Sequence, residues 1–165
     1  DYSSLKDSLN HLSFEEIVEY LQEDSVVILI FISSSLNLDQ IKELLILSQK
    51  KEKEFLIPVL AEAYGKIMHD SIGHKRKYSG EPYWVHLQEV QEIVKSVGGS
   101  YAMQAAAYLH DVVEDVKVEP NEIEKYFGLE IATLVEMLTD VSKPSDGNRK
   151  IRKQIDLDHT AKASP

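Results

Sequence analysis

The 165-residue chain has no cysteine. That excludes a disulfide framework, thiolate zinc sites and a cysteine nucleophile, and it leaves any metal to His, Asp and Glu. Long apolar runs are also missing. No segment approaches the roughly 18 apolar residues of a membrane span, and the first residues lack the charged-then-apolar pattern of a signal peptide. A soluble, cytoplasmic protein with no membrane partner is therefore expected. Cations are in the minority, 18 Lys and Arg against 28 Asp and Glu, for a formal net charge of −10. Such a balance works against general binding to nucleic acid, although a local basic patch can still receive a small anion. The length suffices for one full-sized domain with a small appendage.

What the chain does have is a concentrated polar constellation between Ala105 and Val116. At about 100° per residue on one continuous helix, His110, Asp111, Glu114 and Asp115 share an arc of about 140°, while Ala105, Leu109, Val112, Val113 and Val116 fill the opposite side. Ala107 stands in the polar arc one turn before Asp111 and leaves room there for an ion or ligand. A solvated helix face would ordinarily mix signs at i,i+4, whereas these pairs are His110 with Glu114 and Asp111 with Asp115. Three crowded carboxylates repel one another unless a cation or proton intervenes. A divalent metal held by imidazole and carboxylate answers that repulsion.

Along the rest of the chain the pattern is helical. Ser13 and Glu16 form a capping-box signature that opens a helix through about Gln22. Val26 to Ile32 suits a buried strand or a buried helix; with no partner strand nearby, helix is preferred. Asn37 or Asp39 starts the next helix, whose stripe is Ile41, Leu44, Leu45, Leu47 and Ser48. Gln49 to Glu54 is a charged run expected to be a solvated face or linker. Pro58 fits the first turn of a helix carrying Leu60, Ala63, Tyr64, Ile67 and Met68 and ending near Gly73.

Next comes a basic stretch, His74 to Gly80, which is either an exposed loop or a seat for a phosphorylated ligand. Pro82 is expected at the first position of a further helix with Tyr83, Val90, Val94 and Val97 on its apolar side. His86 shares that spacing. A lone histidine there is ordinarily a core residue, but a second helix supplies His110. Gly98 and Gly99 end this helix and the central one begins near Ser100. A short helix through Tyr126 is capped at Gly128, Ile131, Leu134, Val135 and Leu138 mark another, and a basic helix follows Asn148.

The motif Gly80 to His86, followed by Leu109 to Asp115 and then by Tyr126 to Gly128 and Leu138 to Asp140, resembles the HD-domain hydrolases of the RelA/SpoT type and the small alarmone hydrolases. The likeness runs from about residue 57 onward. It implies an all-α HD-domain helical bundle over 57–165, with an N-terminal helical appendage over 1–56. It also implies manganese as cofactor and a nucleotide substrate, guanosine tetra- or pentaphosphate, from which the 3′ pyrophosphate is removed. Carried over, the resemblance makes His86, His110 and Asp111 metal ligands, Glu114 and Asp115 the pair that positions and activates water, and Arg76, Lys77 and Tyr83 substrate contacts.

Three departures accompany the likeness. The family's His-x-x-Gln before the basic stretch reads Ser71 to His74 here, so His69 and His74 are expected to be nonligands. Leu87 follows His86 where Pro is common. The family's fourth ligand, an aspartate in a Lys-Leu-Ala-Asp-like segment, is not among these residues, which leaves Asp140, Asp158 or His159 as substitutes. Two rival readings stand beside the first. One keeps the metal and changes the substrate to another nucleotide. The other is a noncatalytic nucleotide-sensing module, possible as a homo-oligomer through the apolar N-terminal run.

Overall fold

The computed structural model describes residues 11–162 and Asp7, so the structural statements below concern those residues. Helices account for every named element: α1 (Phe14–Tyr20), α2 (Val26–Ser33), α3 (Leu38–Lys50), α4 (Ile57–Ser71), α5 (Trp84–Ser96), α6 (Tyr101–Leu109), α7 (Val112–Asp115), α8 (Pro120–Phe127), α9 (Leu129–Leu138) and α10 (Arg149–Thr160), joined by short 3-10 turns. An isolated antiparallel bridge pairs Lys75 with Pro82. No helix among the described residues is long and apolar enough to cross a membrane.

Local chemistry explains the helix starts. The Ser13 hydroxyl accepts the Glu16 amide at 3.2 Å while Glu16 accepts the Ser13 amide at 2.7 Å. Asn37 and Gln40 repeat the exchange at 2.9 Å in both directions. Each reciprocal pair satisfies two amides that a helix start leaves open. Val26 to Ile32 is helical, with Leu29 buried and Val27 and Ile30 exposed.

α4 is the central post. It packs on α6, α3, α5 and α2, and α9 packs on α6 as well. Gly65 makes the close approach possible: a Cβ there would sit 3.0 Å from the Tyr108 carbonyl oxygen and 3.3 Å from Leu87 Cδ1. Leu87 thus fills the α4 to α5 contact. Ile17, Val18, Ile41, Leu44 and Leu45 join Leu60, Tyr64, Leu109 and Phe127 in one hydrophobic cluster, so the segment before residue 57 packs into the same core as the segment after it.

Three sequence expectations change. The stretch from Ala105 to Val116 is two helices rather than one, broken at His110 and Asp111. An unbroken helix would pair the Ala107 carbonyl with the Asp111 amide; here the His110 ring takes that carbonyl, and Asp111 rests at φ −99°, ψ −4°. Ala107 is buried and its carbonyl is engaged by the His110 ring. Pro82 lies in the bridge before α5, held there by the flanking bonds from the Arg76 amide to the Glu81 carbonyl and from the Tyr83 amide to the His74 carbonyl, and the helix starts at Trp84. The buried side of α5 is Leu87 and Gln91, and Val97 is exposed, because the helix faces Gly65 one residue further round than the apolar count suggests.

Candidate metal centre

The site forms where the break between α6 and α7 meets the first turn of α5. His86, His110 and Asp111 each offer one ligand atom, and these atoms all lie within 4.8 Å of one another. His110 Nε2 is 2.9 Å from Asp111 Oδ2, and His86 Nε2 is 3.9 Å from the same oxygen. The two imidazoles meet edge to face with centroids 5.6 Å apart. Among the described residues this is the one group of three with such a spacing.

The break in the helix gives His110 its orientation. His110 Nδ1 lies 2.7 Å from the Ala107 carbonyl oxygen, to which only an N–H can donate. That places an N–H at Nδ1 and turns Nε2 toward His86 and Asp111. A backbone carbonyl behind a metal-facing imidazole is the usual way such a ring is aimed. Two imidazole nitrogens and one carboxylate fit a borderline divalent ion and leave coordination positions open.

The electrostatics agree with a cation-hungry site. Burial disfavours the charge on Asp111, but hydrogen bonds from His110 and Tyr83 outweigh it and hold the carboxyl below its ordinary value. Burial likewise works against protonation of His110, yet Asp111 raises it overall. Glu114 and Asp115 both sit above the ordinary carboxylate range. For each the larger cause is desolvation, with repulsion from Asp140 next for Glu114 and from Asp111 next for Asp115.

The other candidates are placed differently. Arg76 is drawn to α5, with its guanidinium 3.0 Å from Glu89 and 3.8 Å from Glu81, and its backbone amide bonded to the Glu81 carbonyl. Lys77 is exposed, 5.5 Å from the Tyr78 ring. Asp140, Asp158 and His159 stand outside the group of three. The His159 ring bonds the Glu136 carbonyl oxygen at 2.8 Å, and Asp158 accepts from Gln154.

Sequence reasoning missed how Tyr83 is used. Its hydroxyl donates to Asp111 Oδ2 at 2.6 Å, and its ring stacks on His74 at 3.8 Å between centroids. His74 in turn pairs with His69 across 2.9 Å between their Nδ1 atoms. The signal was the run of rings at 69, 74, 83 and 86, which periodicity assigns to separate elements.

With this geometry in view, likeness to known proteins is informative. Residues 61–163 match the HD domain, well over half of the chain. The chain belongs to the HD-domain family, and its relatives are of the RelA/SpoT type. It is 45% identical over 75 residues to a probable guanosine-3′,5′-bis(diphosphate) 3′-pyrophosphohydrolase of Synechocystis sp., covering 46% of this chain and 10% of that protein. It is 35% identical over 71 residues to the guanosine-3′,5′-bis(diphosphate) 3′-pyrophosphohydrolase of Aquifex aeolicus, and 41% identical over 71 residues to the GTP pyrophosphokinase rsh of Brucella ovis. Each of these two matches covers 43% of this chain and 10% of the relative. The chain thus spans about a tenth of the length of the curated relatives it matches. No solved structure is significantly similar.

Proposed function

We propose that this chain carries the hydrolytic centre of a metal-dependent phosphohydrolase acting on guanosine 3′,5′-bis(diphosphate) in the cytoplasm, with manganese as the ion. The observation that carries the reading is the convergence of His86, His110 and Asp111, with the His110 ring aimed by the Ala107 carbonyl. The names of the Synechocystis and Aquifex relatives supply the substrate.

In this reading His86, His110 and Asp111 hold the ion. When bound, it supplies positive charge against the phosphate oxygens and makes nearby water more acidic. Glu114 and Asp115 orient the attacking water and take its proton, a task their raised proton affinity suits. The water oxygen bonds to the phosphorus on the 3′ oxygen, the ester bond to that oxygen breaks, and the 3′ oxygen recovers a proton. Pyrophosphate and a nucleotide with a free 3′ hydroxyl leave, with no covalent enzyme intermediate. Lys77, exposed beside Tyr78, contacts phosphate or base. Arg76 reaches substrate only by exchanging Glu89 and Glu81 for it. Tyr83 is the least free of the three, since its hydroxyl already serves Asp111.

The test uses the full-length protein with manganese and guanosine tetraphosphate. Pyrophosphate release that disappears in Asp111→Ala supports the reading; no release, or release undiminished in that variant, overturns it. A substrate lacking the 3′ diphosphate is expected to be inert.

A further inference from the structure

Tyr83 links the two segments that carry the candidate ligands. Its main chain opens α5, since the Tyr83 carbonyl accepts the His86 amide at 3.0 Å. Its hydroxyl reaches across 28 residues of sequence to Asp111 Oδ2. One residue therefore fixes the approach of His86 from one side and the rotation of the Asp111 carboxylate from the other. At 2.6 Å the phenol to carboxylate bond has the length of a charge-assisted hydrogen bond.

The ring has its own support. His74 lies parallel to it, 3.8 Å away at an interplanar angle of 11°, and the Tyr83 amide donates to the His74 carbonyl at 3.0 Å. Against both rings stands His69, fully buried, with its centroid 5.1 Å from the His74 ring and 4.9 Å from the Tyr83 ring. His69 Nε2 is buried with no hydrogen-bond partner. The arrangement that buries no unpaired N–H puts the His69 proton on Nδ1, where it is donated to His74 Nδ1. That bond fixes the plane of His74, and His74 fixes the plane of Tyr83.

We propose that Tyr83 is a positioning residue: held by the His69 and His74 stack, it fixes the Asp111 carboxylate in the orientation that receives the metal. The inference rests on the reading of His86, His110 and Asp111 as metal ligands, but it is independent of which nucleotide is hydrolysed. Partners behind ligating carboxylates typically change metal affinity or activity about tenfold or more when removed.

The experiment measures manganese affinity, by the EPR signal of free Mn2+, and kcat and KM for guanosine tetraphosphate in the full-length protein and two sets of variants. Tyr83→Phe is expected to weaken manganese binding about tenfold and to lower kcat, with KM for the nucleotide unchanged within about twofold. His74→Ala is expected to weaken manganese binding, and His74→Phe, which keeps a flat ring against Tyr83, to restore most of it. An unchanged manganese affinity in Tyr83→Phe overturns the inference, whether or not KM rises, and a rise in KM alone returns Tyr83 to substrate contact. If the wild-type protein binds manganese but releases no pyrophosphate, the proposed reaction falls while the affinity series still decides the role of Tyr83. A wild-type protein that binds no manganese overturns both.

Discussion

The two segments that meet at the candidate metal centre are built on different principles. α5 delivers His86 from the first turn of a regular 13-residue helix, seated on its neighbours by Leu87 and Gln91. The other segment delivers His110 and Asp111 from a place where the helix stops, turns and restarts as α7. In the first, orientation comes from the packing of a whole element; in the second, from one side-chain hydrogen bond that displaces a backbone bond. A regular helix sets adjacent side chains about 100° apart. The break allows both His110 and Asp111 to face His86.

The largest effect is expected from removing one candidate ligand from each segment. Asp111→Ala and His86→Ala are both expected to reduce pyrophosphate release to background in a steady-state assay. If either retained wild-type turnover, its segment would not contribute to the centre. Glu114→Gln leaves the proposed ligands in place and removes a base; kcat should fall on the order of 10²- to 10⁴-fold with manganese affinity retained.

A pH experiment probes the support behind α5. Burial is the main cause holding His69 down to about 4, with repulsion from His74 second. The unfolded chain, with an ordinary histidine value near 6.5, binds more protons than the folded chain between these limits, so stability rises with pH through that window. This contribution is complete above about pH 6.5, and about 3 kcal/mol of it is lost as the pH falls toward 4. Urea melts of wild type and His69→Gln across this range should diverge in slope; parallel curves would remove His69 from the account.

A smaller effect tests how closely α4 approaches α6. Gly65→Ala forces a methyl to within 3.0 Å of the Tyr108 carbonyl oxygen, and thermal melts should show a loss of about 1 to 3 kcal/mol. A neutral substitution would mean that α4 and α6 can separate without cost.

The same contrast shows what could be read from the residues alone. Reciprocal caps at Ser13 and Asn37 mark their helices because the signal is local, three residues long and made by side-chain chemistry. The helical state of Val26 to Ile32 followed from the lack of a partner strand. His86, His110 and Asp111 could be named from the paired motifs, and the structure brings them together. Their geometry could not, since the break at His110 depends on a ring competing for the Ala107 carbonyl, which no periodicity records. Arg76 was named as a substrate contact from the family's basic stretch; its 3.0 Å approach to Glu89, 13 residues on, is set by the fold and no local pattern marks it. The role of Tyr83 was hidden for the same reason, because its partner is 28 residues distant.

In the proposed centre two imidazoles, one from each segment, meet at a single ion. Pulsed EPR of the manganese-loaded full-length protein measures this directly through the coupling of the ion to ligand nitrogen. Two histidine nitrogens in the wild type, falling to one in His86→Gln and to one in His110→Gln, is the predicted result; a manganese signal without nitrogen coupling, or one unaltered by either substitution, would contradict it.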